Sequence, residues 1–156
     1  MKMFPDKKRI LGIDFGQVRI GIAVSDELGL MAHPVETIPS GQQALPRIAA
    51  IAAEKDVECV VVGLPLHMNG QMSEAAEEVL AFVDELRKLL PCKVVTWDER
   101  LTTTSATRTL RDAGQKTRKS RMFIDQVAAQ HILQGYLDRL QSLSKSDSEG
   151  EPDRLE

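Results

Sequence analysis

The stretch "RILGIDFGQVRIGIAVSD", residues 9–26, decides how the chain is read. Two runs rich in isoleucine and valine, 9–14 and 18–25, flank Gly16-Gln17, which predicts two strands joined by a tight turn. The oddity is Asp14, a carboxylate between Ile13 and Phe15 at the end of a strand that otherwise buries itself. A charge in such a place needs a partner or a ligand, because desolvating it alone costs several kcal/mol.

Outward from this hairpin, "LMAHPVETI" (30–38) predicts a third, weaker strand, with Pro34 favouring an edge. Residues 42–55 carry apolar side chains at 45, 48, 49 and 52, a helical stripe. "ECVVVGLP" (58–65) has the unbroken apolar character of a strand covered on both faces in a parallel sheet. The loop after it contains the turn signal Asn69-Gly70. Ser73 is an N-cap for a helix with glutamates first, Arg87 and Lys88 near its end, and Pro91 as its stop. "KVVTW" (93–97) is a strand that delivers "DERLTT" at its carboxyl end. Residues 103–113 read as a helix ended by Gly114, a basic loop covers 115–121, and a last helix runs from about Phe123 to Leu140. The order β-β-β-α-β-α-β-α-α predicts an α/β fold: a mixed five-stranded sheet, with a three-stranded antiparallel meander plus parallel strands, and helices on both faces. Ligands gather at the carboxyl ends of strands in such sheets. Residues 1–8 form an N-terminal extension, 9–140 one domain, and 141–156 an acidic, disordered tail.

With 42% hydrophobic and 28% charged residues, the chain of 156 is globular rather than disordered or fibrous. Cys59 and Cys92 lack metal-ligand spacing and read as buried, reduced thiols. "MKMFPDKK" contains no apolar leader and no later run could span a bilayer, so the expectation is a cytoplasmic protein with no membrane partner. A net charge of −3 argues, as an average, against a nucleic-acid binder. The average hides residues 100–121, whose seven cations and one anion make +6 and leave −9 for the rest. A basic patch on an acidic body can bind a polyanion locally, although a charged loop can equally be mere solvated surface.

Asp14 is one of three misplaced acids. Asp98 and Glu99 end a hydrophobic strand, and Asp125 shares its helical face with Ala129, Ile132, Leu133, Tyr136 and Leu140, all within about 80° of it. Three explanations are open. Arginines such as Arg19 and Arg100 could pair with the acids, the acids could cap turns (which suits Asp98 but not Asp125), or they could converge on a divalent cation. Oxygen-only ligands select Mg²⁺ or Mn²⁺.

Four segments bear on that choice. "GIDFGQVRIGIAVSD", "VVGLPLHMNG", "DERLTT" and "IDQVAAQHILQGYLD" resemble, in order and spacing, the motifs of the YqgF family of Holliday-junction-resolvase-like nucleases, from about Arg9 to Leu140. The resemblance implies a ribonuclease H-like fold and a divalent-metal nuclease that matures the 5′ end of the small-subunit (16S) ribosomal RNA precursor in bacteria. It assigns the catalytic and metal-binding roles to Asp14, Glu99 and Asp125, and it favours Glu99 over Asp98, which the residues alone leave open. One departure is Asn69-Gly70, where similar sequences usually carry Asp-Gly; asparagine preserves the turn.

The mechanism expected is phosphodiester hydrolysis with two metal ions, Mg²⁺ or Mn²⁺. Arg19, Arg100, Lys116, Arg118, Lys119 and Arg121 would hold phosphates, and Thr102 and Thr103 would donate hydrogen bonds to phosphate or cap a helix. Trp97 and Tyr136 read as core rather than base-stacking platforms, and His67 as an exposed loop residue. The expected partner is nucleic acid, a structured RNA precursor on ribosomal particles ahead of a DNA junction. Junction resolution calls for a symmetric dimer, whereas the chain shows no obvious dimerisation stripe and reads as a monomer or weak dimer. Two rivals are a non-catalytic RNA-binding factor and a nucleotide site, since "DFGQVRIGIAV" also resembles the phosphate-binding hairpin of sugar kinases and heat-shock ATPases.

Overall fold

The computed structural model describes residues 9–101 and 118–148, with the side chains of 118–120 and 144–148 outside that description. Five strands, β1 (Arg9–Asp14), β2 (Arg19–Ser25), β3 (Ala32–Pro39), β4 (Val57–Leu64) and β5 (Lys93–Asp98), form one sheet in the order β3-β2-β1-β4-β5. β1, β2 and β3 pair antiparallel, and β4 pairs parallel with both β1 and β5. This is the meander with added parallel strands that the element order predicts. β3 lies at an edge, as Pro34 requires, and the β2–β3 register slips between Ile22 and Ala23, opposite that proline.

Strand periodicity sorts the side chains onto two faces. Leu11, Ile13, Ile20, Ile22, Val60 and Val62 pack under α1 (Ala44–Glu54) and α2 (Glu74–Leu89), chiefly against Ile48, Ile51, Phe82, Val83 and Leu86. Ser73 caps α2 as its sequence predicts: its hydroxyl accepts from the Ala76 amide at 2.9 Å and donates to the Pro65 carbonyl at 2.6 Å. The opposite face, with Ile10, Ala23, Cys59 and Val61, is covered by α3 (Arg118–Ser148) through Ala129, Ile132, Leu133 and Leu137.

α3 is longer than its periodicity suggests at both ends. It continues to Ser148, past the expected end at Leu140 and into the segment read as tail. Residues 141–148 contain neither glycine nor proline, and the first breakers are Gly150 and Pro152, so nothing local interrupts the helix. Gln141 also reaches the carbonyls of Gly29 and Leu30 at 3.4 Å. The extension 1–8, the helix expected at 103–113 and tail residues 149–156 fall outside the described residues. Cys59 is buried, whereas Cys92 is only partly so, and both are free thiols. Burial pushes both thiols up from their ordinary range. Among the described residues, no helix is long and apolar enough to cross a membrane.

Three strand glycines let α3 approach the sheet. A Cβ on Gly12 would lie 2.6 Å from the Leu133 Cβ, and one on Gly63 would lie 2.5 Å from the Ile132 Cδ1. A Cβ on Gly21 would collide with the backbone carbonyl of Asp125. Because backbone cannot yield as a flexible side chain can, Gly21→Ala should destabilise the fold by about 3 kcal/mol. Thermal unfolding should show this as a loss of about 6–12 °C relative to the wild type.

Candidate functional site

The carboxyl end of β1 carries Asp14, and the sheet register fixes its neighbours. Asp14 pairs with Gly21 of β2, which pairs with Thr37 of β3. On the other side, the pair Ile13–Val62 puts Gly63 of β4 at the next position, and Gly63 pairs with Trp97 of β5. The row therefore reads Thr37, Gly21, Asp14, Gly63, Trp97, with Asp14 on the central strand between two residues that have no side chain. All five positions lie on the α3 face, since Gly12, two residues before Asp14, already touches Leu133.

The other two acids reach this row over its glycines. Asp125 in the early part of α3 has its backbone against Gly21. Glu99 opens a short 3₁₀ turn (Glu99–Leu101) after β5 and turns back over β4, where its Oε2 lies 2.7 Å from where a Gly63 Cβ would stand. Asp14, Glu99 and Asp125 are 3%, 6% and 3% exposed, and with Ser25 and Thr37 they are the buried polar residues among those described. Thr37 fastens the start of α3 by donating its hydroxyl proton to the Met122 carbonyl at 2.5 Å.

The adjacent acids of "DER" part company. Asp98 is partly exposed and faces Arg100, whose Nε and Nη2 donate to it at 2.6–3.0 Å, while its Oδ1 also accepts from the Arg100 amide at 3.0 Å. These contacts hold the Asp98 carboxyl below the usual carboxylate range, the Arg100 side chain contributing most. Arg100 also donates to the Met68 carbonyl at 3.1 Å and packs near Gly70, tying the β4–α2 loop to the end of β5. That loop is a tight turn: Gly70 has φ +86°, and the Asn69 side chain accepts from the Gln71 amide at 2.9 Å, so asparagine does preserve the turn.

Arg19 donates through Nε to Asp125 Oδ2 at 2.7 Å. Two of the expected phosphate-binding arginines, Arg19 and Arg100, are thus engaged with acids. A further one, Arg121, is partly buried, and its Nε finds no hydrogen-bond partner. Arg118 and Lys119 lie in the first turn of α3, where side chains are not described, and Thr102, Thr103 and Lys116 fall outside the described residues. Trp97 and Tyr136 meet edge to face at 6.1 Å beside the second core, and His67 is exposed on its loop, as the sequence suggests.

The donor set fits a hard divalent cation in kind: three buried carboxylates, from three elements, over a row opened by glycines. Among the described residues, no group of three or more His, Cys, Asp or Glu side chains already stands as a metal cage, and Asp125 is turned to Arg19. Periodicity did not single out Gly12, Gly21, Gly63 or Thr37. For the glycines a signal was present, because glycine inside a strand marks a close backbone approach.

Comparison with known proteins places this geometry in context. A family model described as "RuvX: Holliday junction resolvase" matches residues 8–139. The "Putative pre-16S rRNA nuclease" of Nocardia farcinica is 44% identical over 156 residues, covering 94% of this chain and 87% of that one. A protein of the same name from Halalkalibacterium halodurans is 46% identical over 137 residues, covering 85% and 98%. Among solved structures, Thermus thermophilus RuvC superposes with a TM-score of 0.51 at 14% identity, over 86% of this chain and 96% of that chain. RuvC from T. thermophilus in complex with Holliday junction substrate gives 0.50 at 16% identity, over 85% and 96%. At those identities the likeness is one of fold.

The Asp98–Arg100 pair has a signature in acid. Because the folded-state value of Asp98 is lowered, the stabilisation from the pair is present above about pH 4 and fades as pH falls through the folded value. In Arg100→Ala the Asp98 titration, followed by carbon NMR of its carboxyl, should move up toward the ordinary carboxylate range. The stability difference between variant and wild type should shrink in acid.

Proposed function

The chain belongs to the RuvX (YqgF) family of Holliday-junction-resolvase-like proteins, and from that premise we propose that it is a divalent-metal-dependent nuclease acting in 5′-end maturation of pre-16S ribosomal RNA. The observation that carries the reading is the burial of Asp14, Glu99 and Asp125 over one glycine-flanked row of the sheet. Three buried carboxylates offer the all-oxygen donor set that a hard divalent cation prefers.

Asp14 on the central strand, Glu99 in the turn after β5 and Asp125 on α3 would hold the metal. Glu99 is the ligand of the "DER" segment, since it is buried over Gly63 while Asp98 is committed to Arg100. Divalent ions bound there, Mg²⁺ or Mn²⁺ and two in number, would supply positive charge to stabilise the attacking and leaving oxygens of the phosphodiester. Arg121, Arg118, Lys119 and Lys116 would hold phosphates by charge, which gives affinity without base readout. Thr102 and Thr103 follow Glu99 in sequence and serve as hydrogen-bond donors to the same phosphates.

An RNA precursor is favoured over a DNA junction on two grounds. Relatives at 44% and 46% identity carry the pre-16S rRNA nuclease name, whereas the likeness to a junction-bound resolvase is at 16% identity. All three proposed ligands also belong to one chain, which suits a monomer. Such a substrate implies work on ribosomal particles in the cytoplasm.

The test is a parallel digest of a pre-16S precursor and a four-way DNA junction with Mn²⁺. The RNA should be cut, EDTA should abolish cutting, and Asp14→Asn should lower the rate by about 100-fold or more. Undiminished cleavage by Asp14→Asn would rule out the metal role, and preferential cutting of the junction would overturn the substrate.

A further inference from the structure

The nuclease reading gives each acid a ligand role, yet Asp125 is already taken. We infer that Arg19 is a counter-cation latch: its guanidinium occupies Asp125 until a divalent ion displaces it, and the inference rests on that reading of the site.

Two features of the contact suggest this. The bond is short and charge-assisted, Nε to Oδ2 at 2.7 Å, on a side chain only 4% exposed. The two partners also differ in freedom. Asp125 cannot retreat, because its backbone rests on Gly21 and the helix start is pinned by Thr37 on Met122. The Arg19 side chain is 26% exposed and starts from the first residue of β2, beside the β1–β2 turn, so it has a way out to solvent. A guanidinium and a hard dication both seek carboxylate oxygen, and as like charges on one buried carboxylate they repel, so a guanidinium held 2.7 Å from Oδ2 weakens the hold on an ion there. Arg19 therefore lowers the cost of burying Asp125 before metal arrives and competes with metal for it.

The displaced guanidinium remains at the mouth of the site, where a phosphate group can accept it. Metal and nucleic acid then favour each other reciprocally: metal frees Arg19 for phosphate, and phosphate holds Arg19 away from Asp125. Arg19 is in this sense a positioning residue, acting through Asp125. Arg100 on Asp98 differs, because its acid is partly exposed and belongs to the next residue but one.

The test uses the full chain without nucleic acid and titrates Mn²⁺ by calorimetry, with unfolding temperatures recorded in EDTA and in saturating Mn²⁺. Arg19→Gln should bind Mn²⁺ about five- to tenfold more tightly than the wild type. It should also unfold several degrees earlier in EDTA, with most of that loss recovered in Mn²⁺. Arg19→Lys, which keeps a cation, should stay near wild-type affinity. Equal thermal losses in EDTA and Mn²⁺ with unchanged affinity would mean Arg19 is structural only, and weaker Mn²⁺ binding by Arg19→Gln would mean it assists the ion; either result overturns the latch alone. Failure of the wild type to bind Mn²⁺ overturns the nuclease reading with it. Should Arg19→Gln not fold, the wild type still decides: its Arg19 Nε–H resonance should be protected in EDTA and shift on adding Mg²⁺, and an unmoved resonance overturns the proposal.

Discussion

The close approach of α3 to the middle of the sheet is the constraint on which this structure depends. Helices usually stand off a sheet by the length of the side chains between them. Here Gly12, Gly21 and Gly63 remove that spacer on three adjacent strands, and Ala128 and Ala129 thin the helix from its own side. The backbone carbonyl of Asp125 comes to rest on β2, and the Glu99 carboxylate lies over β4. Asp14 lies in the strand between those two. A methyl group at Gly21 would meet the Asp125 backbone and push the helix outward, and one at Gly63 would crowd the Glu99 carboxylate.

The same constraint explains why charge at this corner is handled in two different ways. Asp98 and Glu99 are consecutive, so on a strand end their side chains point apart. One points to the rim, where Arg100 meets it and uses its remaining donor to hold the Met68 carbonyl and hence the Asn69-Gly70 turn. The other is drawn under the helix. The exposed pair organises a loop, whereas the buried acid is spent on the site. Arg19 on Asp125 falls between these cases, with a buried acid and a base that can reach water.

Much of this was legible in the residues because it follows from local periodicity. The β1 limits, the capping by Ser73, the edge position of β3 and the two-sided burial of β4 each follow from side chains within a few positions. So did the three acids, since a carboxylate on an apolar strand or in mid-stripe of a helix is visible without a fold. What was not legible is tertiary. Whether Asp98 or Glu99 turns inward depends on the space above Gly63, a residue more than thirty positions away. That Arg19 reaches Asp125 depends on where α3 lands. The length of α3 was misjudged because its last turns, polar and without breakers, carry no apolar stripe, and composition alone made them look like tail.

How α3 keeps its place along the sheet is the remaining physical question, because apolar packing resists sliding only weakly. Among the described residues, the core beneath α3 has nine buried members and the opposite one eighteen. Polar ties supply the rest. Gln134 both accepts from the Ala32 amide and donates to the Leu30 carbonyl at 2.9 Å, and Gln130 donates to the Ala32 carbonyl at 2.9 Å. These amides grip the backbone of the β2–β3 connection and the first residue of β3 from the middle of the helix, while Thr37 grips Met122 near its start. A slip of one residue along the axis, about 1.5 Å, would break every one of these bonds together. The register that seats the Asp125 backbone on Gly21 is thus held by glutamines five and nine residues further along α3.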